Sequence, residues 1–537
     1  MQPDKIVGGR RVQRPAYSLL ALAPLLWLPQ AQAGSAELGS GLSLDYLANL
    51  TYSAAWRLED ADPALTADVN ADDGNRNFKG GAMINNRLAL LGELNLRHGR
   101  EGLFLRGSAF YDDSYRGSND NDSPSTVNKA GDNAEFTSQA RRNLGQRVRL
   151  LDAYAYGGFD LGSTALDLRV GRQVVSWGES LFFPNASGAQ SPADATKANV
   201  PGAEVKEILL PVGQVYAQWG LTPRWSLAAY WQWEWQRTEL NPVGAYFSGT
   251  DVVGPGASVL LVPSLAPFGA DRVPRGADLT PDDSGQWGVS TKFQVDDATE
   301  AGLYYLHYGD KNPVGVQFDY TAIQVAPDVF VPIPAQYHVA YADDIEMIGT
   351  SVSTQMFGTA LVGELSYRKD AGINIDAPTA TPGRADALQA NLGFTRLILP
   401  TAYWDTLTLV GETSWVELTD VQPLVVGGTS YDQPSNSRRA GAAEALAQFG
   451  YQQVMPGWDL TVSLVYANAF KGKSAIAGSL GSLTGAADQR YSLGLGFKYL
   501  DNLELGLAYN GYHGTPNAED RSLADRSNVS FSLKYSL

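Results

Sequence analysis

Between residues 491 and 509 the apolar side chains fall on every second position. Tyr491, Leu493, Leu495, Phe497 and Tyr499 precede an Asp501-Asn502 turn, and Leu503, Leu505, Leu507 and Tyr509 follow it. Period two sustained on both sides of a short turn specifies strands with one apolar face and one polar or small face. The strands are also long. Segments of about 10 to 15 residues exceed the 5–6 usual in globular proteins, whereas a tilted strand needs about 9–11 residues to cross a bilayer.

The same alternation marks eighteen segments, near 42–58, 82–97, 102–115, 145–160, 164–178, 211–220, 224–236, 284–296 and 299–310. It continues near 346–357, 359–370, 386–399, 404–418, 447–456, 458–470, 487–500, 502–513 and 526–537. Tight turns such as "HGREG" (98–102), "LTPR" (221–224) and "MPGW" (455–458) alternate with loops of about 12 to 50 residues. Short periplasmic turns opposite long outer loops are the signature of an outer-membrane barrel. The expected fold class is therefore all-β: a transmembrane antiparallel up-and-down β-barrel of about 18 strands, with 16 as the alternative count, and long extracellular loops. Lipid leaves an open sheet edge unsatisfied, so "NVSFSLKYSL" (528–537) is read as the closing strand. It also resembles the terminal signal read by the barrel-assembly machinery, with Leu537 where Phe is commonest. Trp177, Trp219, Trp231, Trp233, Trp235, Trp404, Trp415 and Trp458 lie near strand ends, as interfacial girdles require.

The longest apolar run, "AYSLLALAPLLWLPQAQA", is preceded by Lys5, Arg10, Arg11 and Arg14 and closes on Ala31-Gln32-Ala33. This reads as a secretory signal peptide over 1–33, exported through the Sec pathway, with the barrel over 34–537. The formal charge of −17 becomes −20 once the leader is removed. So acidic a chain lacks the basic footprint of a nucleic-acid binder. With no cysteine, disulfides, thiolate metal sites and Cys nucleophiles are excluded.

Taking the apolar parity as lipid-facing assigns the lumen. Arg87, Glu93, Arg147, Arg149, Arg169, Gln173, Glu234, Glu364, Arg368 and Glu412 then point inward and are the candidate lumen and selectivity residues. Inward placement avoids about 2–4 kcal/mol for a basic side chain at the lipid midplane. Two readings follow: arginines facing carboxylates as a selectivity filter, or charge pairs that hold a filled barrel together. Segment 179–213 is the candidate constriction if it folds inward, with Ser191-Pro192 and Asp194 as a helix start. Loops 241–269 and 312–341 are rich in Val, Leu, Phe, Tyr and Pro. They read as a lid for an apolar solute, as a dry cap, or as hairpins extending beyond the membrane. The acidic loops 59–75 and 117–133 lack EF-hand spacing and read as solvated.

The four histidines, His98, His307, His338 and His513, are scattered, and no serine motif, phosphate loop or dinucleotide fingerprint accompanies them. The chain is read as a non-enzyme without cofactor or metal.

The stretches "GRQVVSWGESLFFPNA" (171–186), "PGAEVKEILLPVG" (201–213) and "YWQWEWQRTELNPVGAYFSGTD" (230–251), with "DDGNRNFKG" (72–80) and "GELNLR" (92–97), resemble the domain of unknown function 1302 family of Gram-negative bacteria. The resemblance implies an outer-membrane barrel associated with hydrophobic compounds. The expected function is facilitated uptake of small hydrophobic or amphipathic compounds. A porin for small anionic carboxylates and a non-transporting structural barrel are the alternatives. Expected partners are outer-membrane lipid and lipopolysaccharide, the assembly machinery, the solute and a periplasmic partner.

Overall fold

The computed structural model describes residues 34–537, so the leader read at 1–33 lies outside the described residues. Eighteen antiparallel strands form one closed sheet. They are β1 (Leu42–Arg57), β2 (Met83–His98), β3 (Glu101–Asp112), β4 (Gln146–Leu161), β5 (Thr164–Gln173) and β6 (Val212–Thr222). Next come β7 (Trp225–Gln232), β8 (Gln286–Gln294), β9 (Thr299–Tyr308), β10 (Ile345–Met356), β11 (Thr359–Ala377) and β12 (Thr379–Ile398). The last six are β13 (Thr406–Val421), β14 (Arg439–Met455), β15 (Trp458–Lys471), β16 (Gln489–Tyr499), β17 (Leu503–His513) and β18 (Asn528–Ser536). Each strand pairs with its neighbours in sequence.

Closure is made by β18 against β1, in register from Asn49 opposite Ser536 to Arg57 opposite Asn528. The ladder runs on to Leu537, whose N–H donates to the Ala48 carbonyl at 2.7 Å. Below that point residues Gly34–Gly39 pair with the start of β1 and cover its free edge.

The alternation read from the sequence is the wall's two faces. Leu88, Leu90, Val148, Val170, Trp231, Leu303, Ile348, Leu392, Leu464 and Leu493 stand exposed on the outside. Gln173, Gln214, Gln232, Glu364, Gln389 and Glu412 are buried on the inside. The buried apolar clusters also lie within the barrel, where inward-folded chain packs on the wall. One gathers Val175, Trp177, Tyr230, Tyr304 and Met347, another Phe183, Ile373, Val416 and Ile476.

β5 and β7 end well before the sequence pattern suggests. β5 stops at Gln173 rather than 178, and β7 at Gln232 rather than 236. Beyond the last ladder bond nothing enforces alternation, and the side chains there turn elsewhere. Trp177, expected in the outer girdle, sits inside, 5.1 Å from Tyr230 and 6.2 Å from Tyr304 between ring centres. Trp235, expected on the lipid face, is buried against Tyr341 and donates its indole N–H to the Asp310 carbonyl at 3.2 Å.

At the long-loop end, Gly315–Ala326 and Val329–Ala340 form a hairpin outside the wall sheet, whose second strand also bridges to Arg275 and Leu279. The β11–β12 pair likewise continues past the membrane zone, with strands of 19 and 20 residues. Loop 241–269 instead packs as a cap. Tyr246 is fully buried against Phe78 and beside Tyr115, and Asn77 donates to the Gly244 carbonyl at 2.7 Å. The stretches "DDGNRNF" and "NPVGAYF" are thus two halves of one contact. A Cβ on Gly74 would meet the Ala245 carbonyl at 2.7 Å, which explains the glycine.

The cap contains buried acids. Asp73 donates its backbone N–H to Asp251 at 3.0 Å. Burial pushes the Asp73 carboxyl up to about 6, with Lys129 opposing and Asp72 adding to the shift. Burial, then the Asp73 charge, raises Asp251 well above the carboxylate range. A carboxyl raised in the folded state costs nothing below its unfolded value near 3.8, and destabilises as pH climbs through the folded value. The cap should therefore be tighter at pH 5 than at pH 8. Hydrogen exchange of 70–79 and 244–253, corrected for intrinsic rates, should show greater protection at pH 5; equal or lower protection contradicts this assignment.

The lipid face makes a second prediction. Leu493, 46% exposed near the middle of β16, should destabilise the refolded barrel by about 2–4 kcal/mol when changed to Arg. Gln448→Arg, on the lumen parity of β14, should cost far less. Urea midpoints followed by gel mobility compare the two.

Candidate functional site

After Gln173 the chain leaves the wall and returns only at Val212. Residues 174–211 run around the inside of the barrel as a belt. The Glu179 carboxylate meets Lys292 of β8 at 3.0 Å. Gly202 lies against Thr51 of β1 and Ser532 of β18. Glu204 accepts from Asn49 of β1 at 2.7 Å, Lys206 meets Glu93 of β2 at 2.9 Å, and Leu210 packs with Leu91 and Leu151. The belt holds two single-turn helices, Ala186–Gln190 and Val205–Ile208. The first ends before Ser191-Pro192, where the sequence suggested a helix start; Asp194 is used in ion pairing instead.

Two inward carboxylates anchor it. Glu364 of β11 accepts from the backbone N–H groups of Glu179 at 2.8 Å, Ser180 at 3.2 Å and Ala186 at 2.8 Å, and from the Ser180 hydroxyl at 2.9 Å. Glu412 of β13 accepts from Leu181 at 3.2 Å, Phe183 at 2.9 Å and Phe182. Each is an anion in a nest of backbone donors, a charge-assisted arrangement roughly twice as strong as neutral hydrogen bonds. Gly178 completes the fit. Its φ of +104° is left-handed, and a Cβ there would stand 2.5 Å from a Glu364 oxygen. "SWGES" and "LFFPNA" are accordingly the segments that wrap the two carboxylates.

The other candidate residues are distributed as follows. Arg147 and Arg149, two apart on one face of β4, form a closed box with Asp194 and Glu239; Arg147 lies 2.7 Å from Glu239, and Arg149 3.5 Å from Asp194. Both partners come from loops, and nothing in the β4 pattern announced them. Arg87 is buried beside Asp112 at 3.2 Å and over the Phe110 ring at 4.0 Å. Glu93 also meets Arg106 at 3.1 Å. Arg368 donates to Asn185 at 3.3 Å. Glu234 accepts the Gly213 N–H at 2.7 Å near Arg172. Gln173 exchanges hydrogen bonds with Gln214 at 3.1 and 2.7 Å, and Gln232 reaches the Gln190 carbonyl at 2.8 Å. Gln190, Asn185, Asn391 and Gln389, which complete this polar lining, carry no pattern that singles them out in sequence.

Arg169, like Arg368, has no carboxylate within ion-pair distance among the described residues; it lies over Tyr216 at 4.4 Å and Tyr154 at 5.8 Å. With Phe104, Tyr156, Asn95, Gln218, Arg100 and Asp167 these residues line a lumenal chamber of about 510 Å³ on the periplasmic side. A second chamber of about 350 Å³ lies at the outer mouth, walled by Leu279, Val314, Ile375 and Leu424 and by Gln317, Arg384 and Gln422.

Of the histidines, His338 bridges the Ala277 carbonyl at 2.6 Å and Asp319 at 2.9 Å, and His307 lies 3.6 Å from Asp344. No group of three or more His, Asp or Glu among the described residues is arranged to hold a metal.

Removing an anchor should loosen the belt. Glu412→Ala strands three amides, at about 1–3 kcal/mol for each buried group left unpaired. Exchange of the 181–183 amides should accelerate about a hundredfold or more, while the β13 amides stay protected. Unchanged exchange at 181–183 would show that the carboxylate does not hold the segment.

Among solved structures the chain is similar to three barrels at low identity. Acinetobacter baumannii OccAB4 is 10% identical, with 92% of this chain and 98% of that one covered and a TM-score of 0.44. Pseudomonas aeruginosa OccD3 (OpdP) is 13% identical, 98% and 98% covered, at 0.40. Pseudomonas aeruginosa OccK8 (OprE) is 11% identical, 92% and 98% covered, at 0.42. No curated protein matches the chain. The profile of the family described as "Protein of unknown function (DUF1302)" matches residues 14–537, and the chain belongs to that family.

Proposed function

We propose that the protein is an outer-membrane channel for facilitated uptake of small hydrophobic or amphipathic compounds. The observation that carries this reading is the chamber at the outer mouth. It lies where the base of the Gly315–Ala340 hairpin meets Leu279 and the extended β11–β12 pair, and its walls set Leu279, Val314, Ile375, Pro382 and Leu424 beside Gln317, Arg384 and Gln422. A solute with one apolar and one polar part finds both surfaces there. It then passes the belt and reaches the periplasmic chamber, whose tyrosines and amides suit a molecule with one apolar and one polar face. The reading includes the leader at 1–33 directing Sec export and the assembly machinery inserting the barrel. Lipopolysaccharide and a periplasmic partner belong to it as well, and it leaves the histidines no catalytic task.

One observation favours a second reading, transport of small carboxylates. Arg169 faces the periplasmic chamber with its charge uncommitted, whereas Arg87, Arg147 and Arg149 are neutralised by Asp112, Asp194 and Glu239.

The test is binding of the apolar probe N-phenyl-1-naphthylamine to the refolded barrel, with benzoate as competitor. Replacing 316–339 by a short Gly-Ser turn leaves the wall ladder intact, since the hairpin is a sheet separate from the wall. It should weaken probe binding at least tenfold. Undiminished binding would remove the mouth chamber from the pathway. Benzoate competition abolished by Arg169→Gln would favour the carboxylate reading.

A further inference from the structure

The outer wall carries a second feature, independent of the lumen. At the extracellular ends of β13, β14 and β15 lies a groove of about 840 Å³ whose lining includes the outward-parity pair Glu417 and Arg439. Arg438, Arg439 and Lys471 line it with a single carboxylate, Glu417. Glu417 is opposite Arg439 in the ladder and pairs with it at 2.7 Å. The Arg438 guanidinium donates only to the Asp432 carbonyl, at 3.0 Å. Lys471 makes no ion pair or side-chain hydrogen bond among the described residues. On a chain of formal charge −17, three cations around one carboxylate are an outlier.

The wall below the groove is apolar and channelled. One row down, Gly441 lies between Trp415 and Phe470; a Cβ there would stand 2.7 Å from the Phe470 ring and 3.0 Å from that of Trp415. The outward positions of β14 continue as Ala443, Ala445 and Ala447, flanked on β15 by exposed Tyr466 and Leu464. The basic groove thus sits at the level where the lipid-facing band ends, above a furrow with aromatic and aliphatic banks.

The geometry points to a binding site for a phosphorylated outer-leaflet lipid. Its headgroup phosphate lies between Arg438, Arg439 and Lys471, and one acyl chain runs down β14. Guanidinium groups match phosphate oxygens bidentately, and cations at a membrane surface attract anionic headgroups. The furrow separates a lipid from a free phosphate ion, because only the lipid gains from both parts. The site needs only a membrane-facing wall, so it stands whether or not the lumen conducts.

Native mass spectrometry of the full refolded barrel in detergent, titrated with bis-phosphorylated hexa-acyl lipid A, tests it. The wild-type barrel should retain one lipid in preference to the same lipid stripped of its phosphates. Arg439→Ser/Lys471→Ser should weaken retention at least tenfold, while Lys498→Ser, at the periplasmic end of β16, should not. Gel mobility confirms that all variants fold. Equal retention by the double variant, or of the phosphate-free lipid, would overturn the site. Displacement of lipid A by inorganic phosphate at equal concentration would reduce it to an anion site and overturn the lipid assignment.

Discussion

Lipid offers a peptide group no hydrogen bond, and an unsatisfied backbone N–H or C=O in hydrocarbon costs several kcal/mol. Every other feature of this molecule is built on the solution to that constraint, the pairing of β18 with β1. Once the sheet closes, each strand has one face in lipid and one in the lumen. The outer face must be apolar; the inner face is free to carry Arg, Glu and Gln. An eighteen-stranded wall encloses more room than its own side chains fill, and in this chain much of that room goes to the belt at 174–211.

The belt is held by the lumenal charges rather than merely passing among them. Glu364 and Glu412 project from neighbouring parts of the wall and collect seven donors from the segment between Glu179 and Ala186. Their charge is spent on backbone amides. The Arg147–Arg149 box spends its charge on Asp194 of the belt and Glu239. Of the arginines that the inward parity suggested as a filter, Arg169 and Arg368 have no carboxylate partner among the described residues, and of these Arg169 lines a chamber. Charged lumenal residues here set where the belt lies, and the two chambers mix tyrosine, aliphatic and amide surfaces with a few charges, Arg100, Asp167 and Arg169 in one and Arg384 in the other.

The wall was legible in the sequence because the bilayer writes period two into every spanning segment. Tyr491 to Tyr509 alone specifies two strands and their turn. Strand ends were not, since at Gln173 and Gln232 the pattern continues while the ladder does not, and so Trp177 and Trp235 were misplaced. The inward direction of Glu364 and Glu412 followed from parity, yet their partners did not. The donors are main-chain N–H groups 178 to 231 residues away, and an amide has no side-chain signature. Gly178 was the nearest thing to a signal, a glycine whose backbone angle and clearance leave no room for a side chain. Loops 241–269 and 312–341 looked alike in composition but became a packed cap and a hairpin outside the wall sheet. Tyr246 finds Phe78 and Tyr115 to pack on, whereas Phe330 and Val331 near the hairpin tip stand exposed.

The central claim, that Glu364 and Glu412 hold an internal belt inside the barrel, is tested most directly by single-channel conductance in planar bilayers. The refolded wild-type protein should conduct far less than an unobstructed barrel of this size. Glu364→Gln/Glu412→Gln should conduct several-fold more, with frequent transitions as the belt moves. A wild-type conductance already that of an open pore, unchanged in the double variant, would contradict the account.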